Sequence, residues 1–131
     1  MTILLDTQAL IWSLTNSDRL TKTTRTCIQE ANTVYVSPIN FYEIAIKTAL
    51  GRDSGIKWPI HQIIQEALLS GFVWLPLGAN HIESYQNIPF FDHHRDPFDR
   101  MLLAIALADG LKIISSDHNF PLYNDLVETI W

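Results

Sequence analysis

Cysteine is almost absent from this chain. Cys27 stands alone among 131 residues, so no internal disulfide can form and no cysteine cluster exists to hold zinc. There is no His-x-x-x-His pair either. Basic residues are scarce: 9 Lys and Arg stand against 14 Asp and Glu, for a net charge of −5. That balance excludes a generic basic nucleic-acid coat. It leaves a nuclease open, because bound cations can supply the missing positive charge. No apolar stretch approaches the roughly 20 residues of a membrane span. The opening MTILLDTQALIW lacks a basic leader and reads as no signal peptide. Repeats and low-complexity tracts are also missing. Together these absences predict a cytoplasmic protein in a reducing setting, with Cys27 a buried, inert thiol on a helix.

What is present is a core. Hydrophobic residues make up 47% of the chain and charged residues 18%. The charged share lies below the usual ~25%, which excludes disorder. Surface scaling gives roughly 7,000 Å² folded against roughly 22,000 Å² unfolded, enough burial for one domain over residues 1–131. Short apolar runs predict strands at 3–6, 34–37, 72–77 and 112–117, with a fifth in the tail LVETIW. Between them lie helical segments at 7–15, 21–31, 38–50, 60–70, 79–87 and 97–109. Ser37-Pro38 and Asp96-Pro97 read as N-cap and N1 pairs, and Gly51 and Gly110 as helix ends. Strands alternating with helices predict an α/β three-layer sandwich around a mainly parallel sheet. Ligands of such folds bind outside the carboxyl ends of the strands.

Four acids fall where that geometry would gather them. Asp6 and Asp117 end the first and fourth strands, although Asp also begins turns and caps helices. Glu43 lies on a helix that is apolar nearly all round, PINFYEIAIKTAL. Asn40, Glu43 and Lys47 form its one narrow polar stripe, which suits a polar cleft or a solvated i,i+4 pair. Asp99 lies in the first turn of another apolar helix, where the macrodipole favours an anion. Two like charges 4 Å apart repel by about 4 kcal/mol at an effective dielectric of 20. Four converging acids therefore need protons or cations. With oxygen ligands the natural cation is Mg²⁺ or Mn²⁺, whose leading chemistry is phosphodiester hydrolysis.

The segments LLDTQALIW, SPINFYEIAIK, HRDPFDRMLLAIAL and IISSDHNFPLY, in this order over almost the whole chain, resemble the PIN-domain family. The closest likeness is to the VapC-type ribonuclease toxins of bacterial toxin–antitoxin pairs. The resemblance implies a Mg²⁺- or Mn²⁺-dependent endoribonuclease acting on RNA, a homodimer, and neutralisation by a cognate antitoxin protein. It places the metal-binding acids at Asp6, Glu43, Asp99 and Asp117, with the last the least uniform in the family. Thr7 and Ser115 are implied as supporting hydroxyls.

Other residues carry weaker signals. Lys47 and Arg100 suit either substrate phosphates or the balancing of a neighbouring acid. His93-His94-Arg95 suggests a metal or RNA contact but reads better as a solvated loop, and Asp96 reads as a cap. Trp12, Trp58, Trp74 and Trp131 read as core or interface, and Ile11 with Trp12 as part of a dimer face. Two rival readings remain: a phosphoacceptor receiver-type signalling domain, with its own acidic Mg²⁺ pocket, and a binding module whose acids are only caps.

Overall fold

The computed structural model describes residues 1–131. Its elements are β1 (Thr2–Leu5), α1 (Thr7–Leu14), α2 (Lys22–Glu30), β2 (Thr33–Val36), α3 (Pro38–Ala49), α4 (Ile60–Leu69), β3 (Val73–Trp74), α5 (Ala79–Tyr85), α6 (Pro97–Asp109), β4 (Lys112–Ile114), a 3₁₀ turn (Phe120–Tyr123) and β5 (Thr129–Ile130). The strands pair in the order β3-β2-β1-β4-β5, and every pair is parallel. This is the three-layer α/β arrangement that the strand–helix alternation predicts.

Alternation along the strands divides the core in two, because successive side chains point to opposite faces. Ile3 and Leu5 of β1 and Ile114 of β4 join one buried cluster with Leu10, Phe41, Ile44 and Ile63. Leu4 and Ile113 join the other with Leu102, Leu103 and Ile105 of α6. β1 lies at the centre, with β2 on one side and β4 on the other. The chain therefore leaves this sheet in opposite directions at the carboxyl ends of β1 and β4. A crevice opens at such a switch point, and Asp6 and Ser115 are the residues that follow those two strands.

The helix borders follow their local chemistry. Ser37 caps α3: its hydroxyl accepts from the Ile39 amide at 3.1 Å, while Asn40 Oδ1 accepts from the Ser37 amide at 2.8 Å. Asp96 caps α6 by accepting from the Phe98 and Asp99 amides. Gly110 ends α6 at φ +66°, where a β-carbon is disfavoured.

Several expectations shorten or change. The strand expected at 72–77 is only Val73–Trp74: Leu75 still donates to the Val36 carbonyl at 2.9 Å, but Pro76 has no N–H to continue the ladder. The strand expected at 112–117 stops at Ile114, where the Ser115 hydroxyl turns back to accept from the Asp117 amide at 3.1 Å. Cys27 is only partly buried and lies against Met1 sulfur at 3.5 Å. Ile11 is 2% exposed, so it belongs to the core and not to a dimer face. Trp12 packs on Trp131, and Trp74 stacks on Phe41.

Candidate active site

Asp6, the first residue after β1, is held from two directions. Its amide donates to the Ile114 carbonyl of β4 at 3.0 Å. Its Oδ1 accepts from the Ala9 amide at 2.7 Å, which makes it the N-cap of α1. The capping role weighed for this residue is thus real, and the same carboxylate also lines a cleft. Thr7, Glu43, Lys47, Asp96, Asp99 and Asp117 line that cleft with it, which has a volume of about 350 Å³. The four acids read from the sequence come together here.

Asn40 explains how α3 reaches the end of β1. Fully buried, its amide nitrogen donates to the Leu5 carbonyl and to the Thr7 hydroxyl, both at 3.2 Å. One turn on, Glu43 is 6% exposed. Its Oε2 pairs with Lys47 Nζ at 3.2 Å. Its Oε1 is buried with no hydrogen-bond partner. The solvated-pair reading of α3 therefore holds only for the lysine end.

Asp99 comes from the opposite wall. Its Oδ2 lies 3.1 Å from Nε2 of His94, whose Nδ1 lies 2.7 Å from the Tyr123 hydroxyl. His94 is 4% exposed, which corrects the solvated-loop reading. A turn closed by the His94 amide on the Phe91 carbonyl, at 3.0 Å, brings it inward, while His93 and Arg95 stay outside. Ligating atoms of His94, Asp99 and Asp117 all lie within 4.8 Å of one another. Asp117 is less buried, and its Oδ1 accepts from the Asn119 amide at 2.8 Å. Ser115 is 2% exposed and joins β4 to this turn.

Burial sets the electrostatics. Desolvation pushes the Asp6 carboxyl up to about 7, against the lowering effect of the Ser115 hydroxyl and the Ala9 amide, and Asp99 and Glu43 add repulsion. Burial likewise raises Asp99 to about 6; its bond to His94 opposes this, and Asp96, Asp117 and Glu43 reinforce it. The two basic residues part company. Lys47 faces the cleft, whereas Arg100 is fully buried elsewhere. Its guanidinium donates to the Pro89 and Ile88 carbonyls at 2.7 and 2.9 Å and to the Tyr85 hydroxyl at 3.2 Å. Arg100 therefore neither balances the acids nor faces a substrate; it pins the loop before α6.

The sequence reading missed Asn40 as a clamp, placed His94 in a solvated loop and gave Tyr123 no role. The polar stripe on α3 held the first signal. Nothing local marked Tyr123, because its contact with His94 spans 29 residues.

The donor set suits a hard divalent cation: it is rich in carboxylate oxygen, one buried oxygen lacks a partner, and the acids repel one another. No hydrogen bond joins a serine or threonine hydroxyl of the cleft to a histidine, so a hydroxyl nucleophile activated by histidine is not set up.

A family model described as PIN domain matches residues 3–126. No curated protein matches. Among solved structures, a chain of VapBC2 from Rickettsia felis, bound to a DNA fragment from their promoter, superposes with a TM-score of 0.67 at 13% identity, covering 98% of each chain. FitAcB from Neisseria gonorrhoeae gives 0.63 at 18% identity over 98% of this chain and 96% of that one. A toxin–antitoxin complex from Klebsiella pneumoniae gives 0.59 at 16% identity over 98% and 96%.

Proposed function

The chain belongs to the PIN-domain family, and from that premise we propose that it is a Mg²⁺- or Mn²⁺-dependent endoribonuclease, the toxin of a toxin–antitoxin pair. One observation carries the reading: Asp6, Glu43, Asp99 and Asp117, far apart in the chain, line a single cleft at the switch point of the sheet. Asp6, Glu43, Asp99 and Asp117 would hold the cation, the ligating atoms of Asp99 and Asp117 lying within 4.8 Å of each other. When bound, the ion supplies the positive charge these acids lack, favours deprotonation of water and stabilises charge on the phosphoryl group.

The chain's own residues do the rest. Asn40 holds the Thr7 hydroxyl and the end of β1 in place. Thr7 and Ser115 orient water by hydrogen bonding. Lys47, 41% exposed at its side chain, reaches a substrate phosphate from the cleft wall. With so few cations, affinity for RNA rests on the metal and on the shape of single-stranded segments. A phosphoacceptor receiver would need a lysine after a late strand; here Ser115 follows β4, and Lys112 opens it.

The same reading extends to partners. Ile39, Tyr42, Ile46, Ile82, Phe98 and Met101 line an apolar groove of about 450 Å³ between α3, α5 and α6. Tyr42 and Ile82 are 59% and 60% exposed there, a face suited to a second copy of the chain. A cognate antitoxin is the further partner. No helix is long and apolar enough to cross a membrane, which fits a cytoplasmic site of action. The test is incubation of the purified protein with structured RNA, with Mg²⁺ or with chelator. Cleavage with metal that is lost with chelator and in Asp99→Asn supports the reading. Full activity of Asp99→Asn removes that residue from the site.

A further inference from the structure

We propose that His94 and Tyr123 form a buried hydrogen-bonded relay that orients the Asp99 carboxylate toward the cation, making both of them positioning residues of the site. The inference rests on the metal-binding reading above.

An ionised Asp99 fixes the direction of its contact with the imidazole. An ionised carboxylate only accepts hydrogen bonds, and Asp99 must be ionised to hold a cation. The bond at 3.1 Å therefore places the proton on His94 Nε2. In a neutral imidazole Nδ1 is then bare and the Tyr123 hydroxyl, 2.7 Å away, donates to it; in an imidazolium Nδ1 donates to that hydroxyl instead. Every donor in the chain Tyr123, His94, Asp99 finds an acceptor. Such a partner fixes ring and carboxylate together, as the outer shells of metal sites do.

The surroundings hold the relay rigid. His94 and Tyr123 are 4% and 1% exposed. The His94 ring packs against Phe120 at 5.9 Å and Tyr123 at 5.5 Å, and Tyr123 meets Phe91 edge-on at 5.2 Å. Three separate segments, the turn at 91–94, the start of α6 and the 3₁₀ turn, are locked to one cleft carboxylate. A histidine–tyrosine pair serving the core alone has no need to end on an acid that lines the cleft. With Oδ2 engaged by the imidazole, Oδ1 is the oxygen left free to ligate.

Calorimetric titration of the folded protein with Mn²⁺ tests this, with His94→Phe, His94→Gln and Tyr123→Phe beside the wild type. The titration is run well below each protein's melting temperature. His94→Phe should weaken Mn²⁺ binding by roughly 10- to 100-fold. His94→Gln keeps a donor near Nε2 and should recover most of that loss. Tyr123→Phe should weaken binding less than His94→Phe does. Melting temperatures that fall while all three variants bind Mn²⁺ like the wild type would reduce the relay to a core contact. His94→Gln binding as poorly as His94→Phe would overturn the relay in favour of direct ligation by the imidazole. A wild type that binds no Mn²⁺ removes both this inference and the function beneath it, whereas a wild type that binds and variants that do not differ remove the relay alone.

Discussion

The two walls of the cleft hold their acids differently. On the wall built from the end of β1 and from α3, Asp6 and Glu43 are each 6% exposed. Yet one Glu43 oxygen is unbonded and the other meets a half-exposed lysine. On the wall built from α6 and the loop before it, the Asp99 side chain is 20% exposed but is tied to a buried imidazole. Depth and fixation are thus separate properties. Both walls carry the cost of desolvated charge; on the first Glu43 keeps an unbonded oxygen, and on the second Asp99 is aimed by a buried side chain. A cation relieves the first and uses the second.

The sharpest way to break the pairing of walls is Asp6→Asn. Removing that ligand should lower RNA cleavage by roughly 100-fold or more. The metal-free fold should lose no stability, because Asn also caps helices and the buried carboxylate is gone; RNA cleavage and thermal melting check the two halves. Next is Arg100→Met, which strips the second wall's loop of its guanidinium. One buried carbonyl, of Ile88, and one part-buried carbonyl, of Pro89, lose their donor, at a cost of about 3 kcal/mol, measurable by urea unfolding. A variant of wild-type stability would show that the loop is held by something else. A smaller effect is expected on the first wall from Asn40→Ala, which removes the capping interaction with Ser37 and the bonds to Leu5 and Thr7; about 2 kcal/mol should be lost by the same assay, because a buried amide and a buried carbonyl are left without partners. Smallest is Lys47→Ala. One end of its ion pair is solvated but Glu43 is buried and has no other partner, so stability should fall by about 1 kcal/mol, while RNA affinity falls and its salt dependence flattens.

The walls also differ in how far the sequence revealed them. The first was legible because its signals are local: an acid at the end of an apolar strand, and one polar stripe on an apolar helix opened by Ser-Pro. Asp99 was legible too, as a lone acid in the first turn of α6. The partners of Asp99 were not. His94 lies in a stretch of charged residues, and only the inward turn at 91–94 and the 3₁₀ turn at 120–123 reveal it as buried. Arg100 misled for the same reason. A charged residue beside a cleft acid suggests a cleft cation, but helical geometry turns the next residue away by about 100°. The parallel sheet followed from strand–helix alternation. The early ends of β3 and β4 did not, since Pro76 and the Ser115 hydroxyl decide them.

The central claim is that folding gathers these acids into a pocket that a divalent ion makes tolerable. Burial lifts Asp6 to about 7 and Asp99 to about 6. Between roughly pH 4 and 7, therefore, the folded chain keeps protons that the unfolded chain has released, and metal-free stability should fall as pH rises through that window. The most direct measurement is the melting temperature from pH 5 to 7.5, with and without Mn²⁺. A cation that binds only the native state must raise it, and the gain should grow with pH as it competes against fewer protons. A melting temperature that Mn²⁺ leaves unchanged at pH 7.5, or raises equally in a variant lacking both Asp6 and Asp99, would contradict the account.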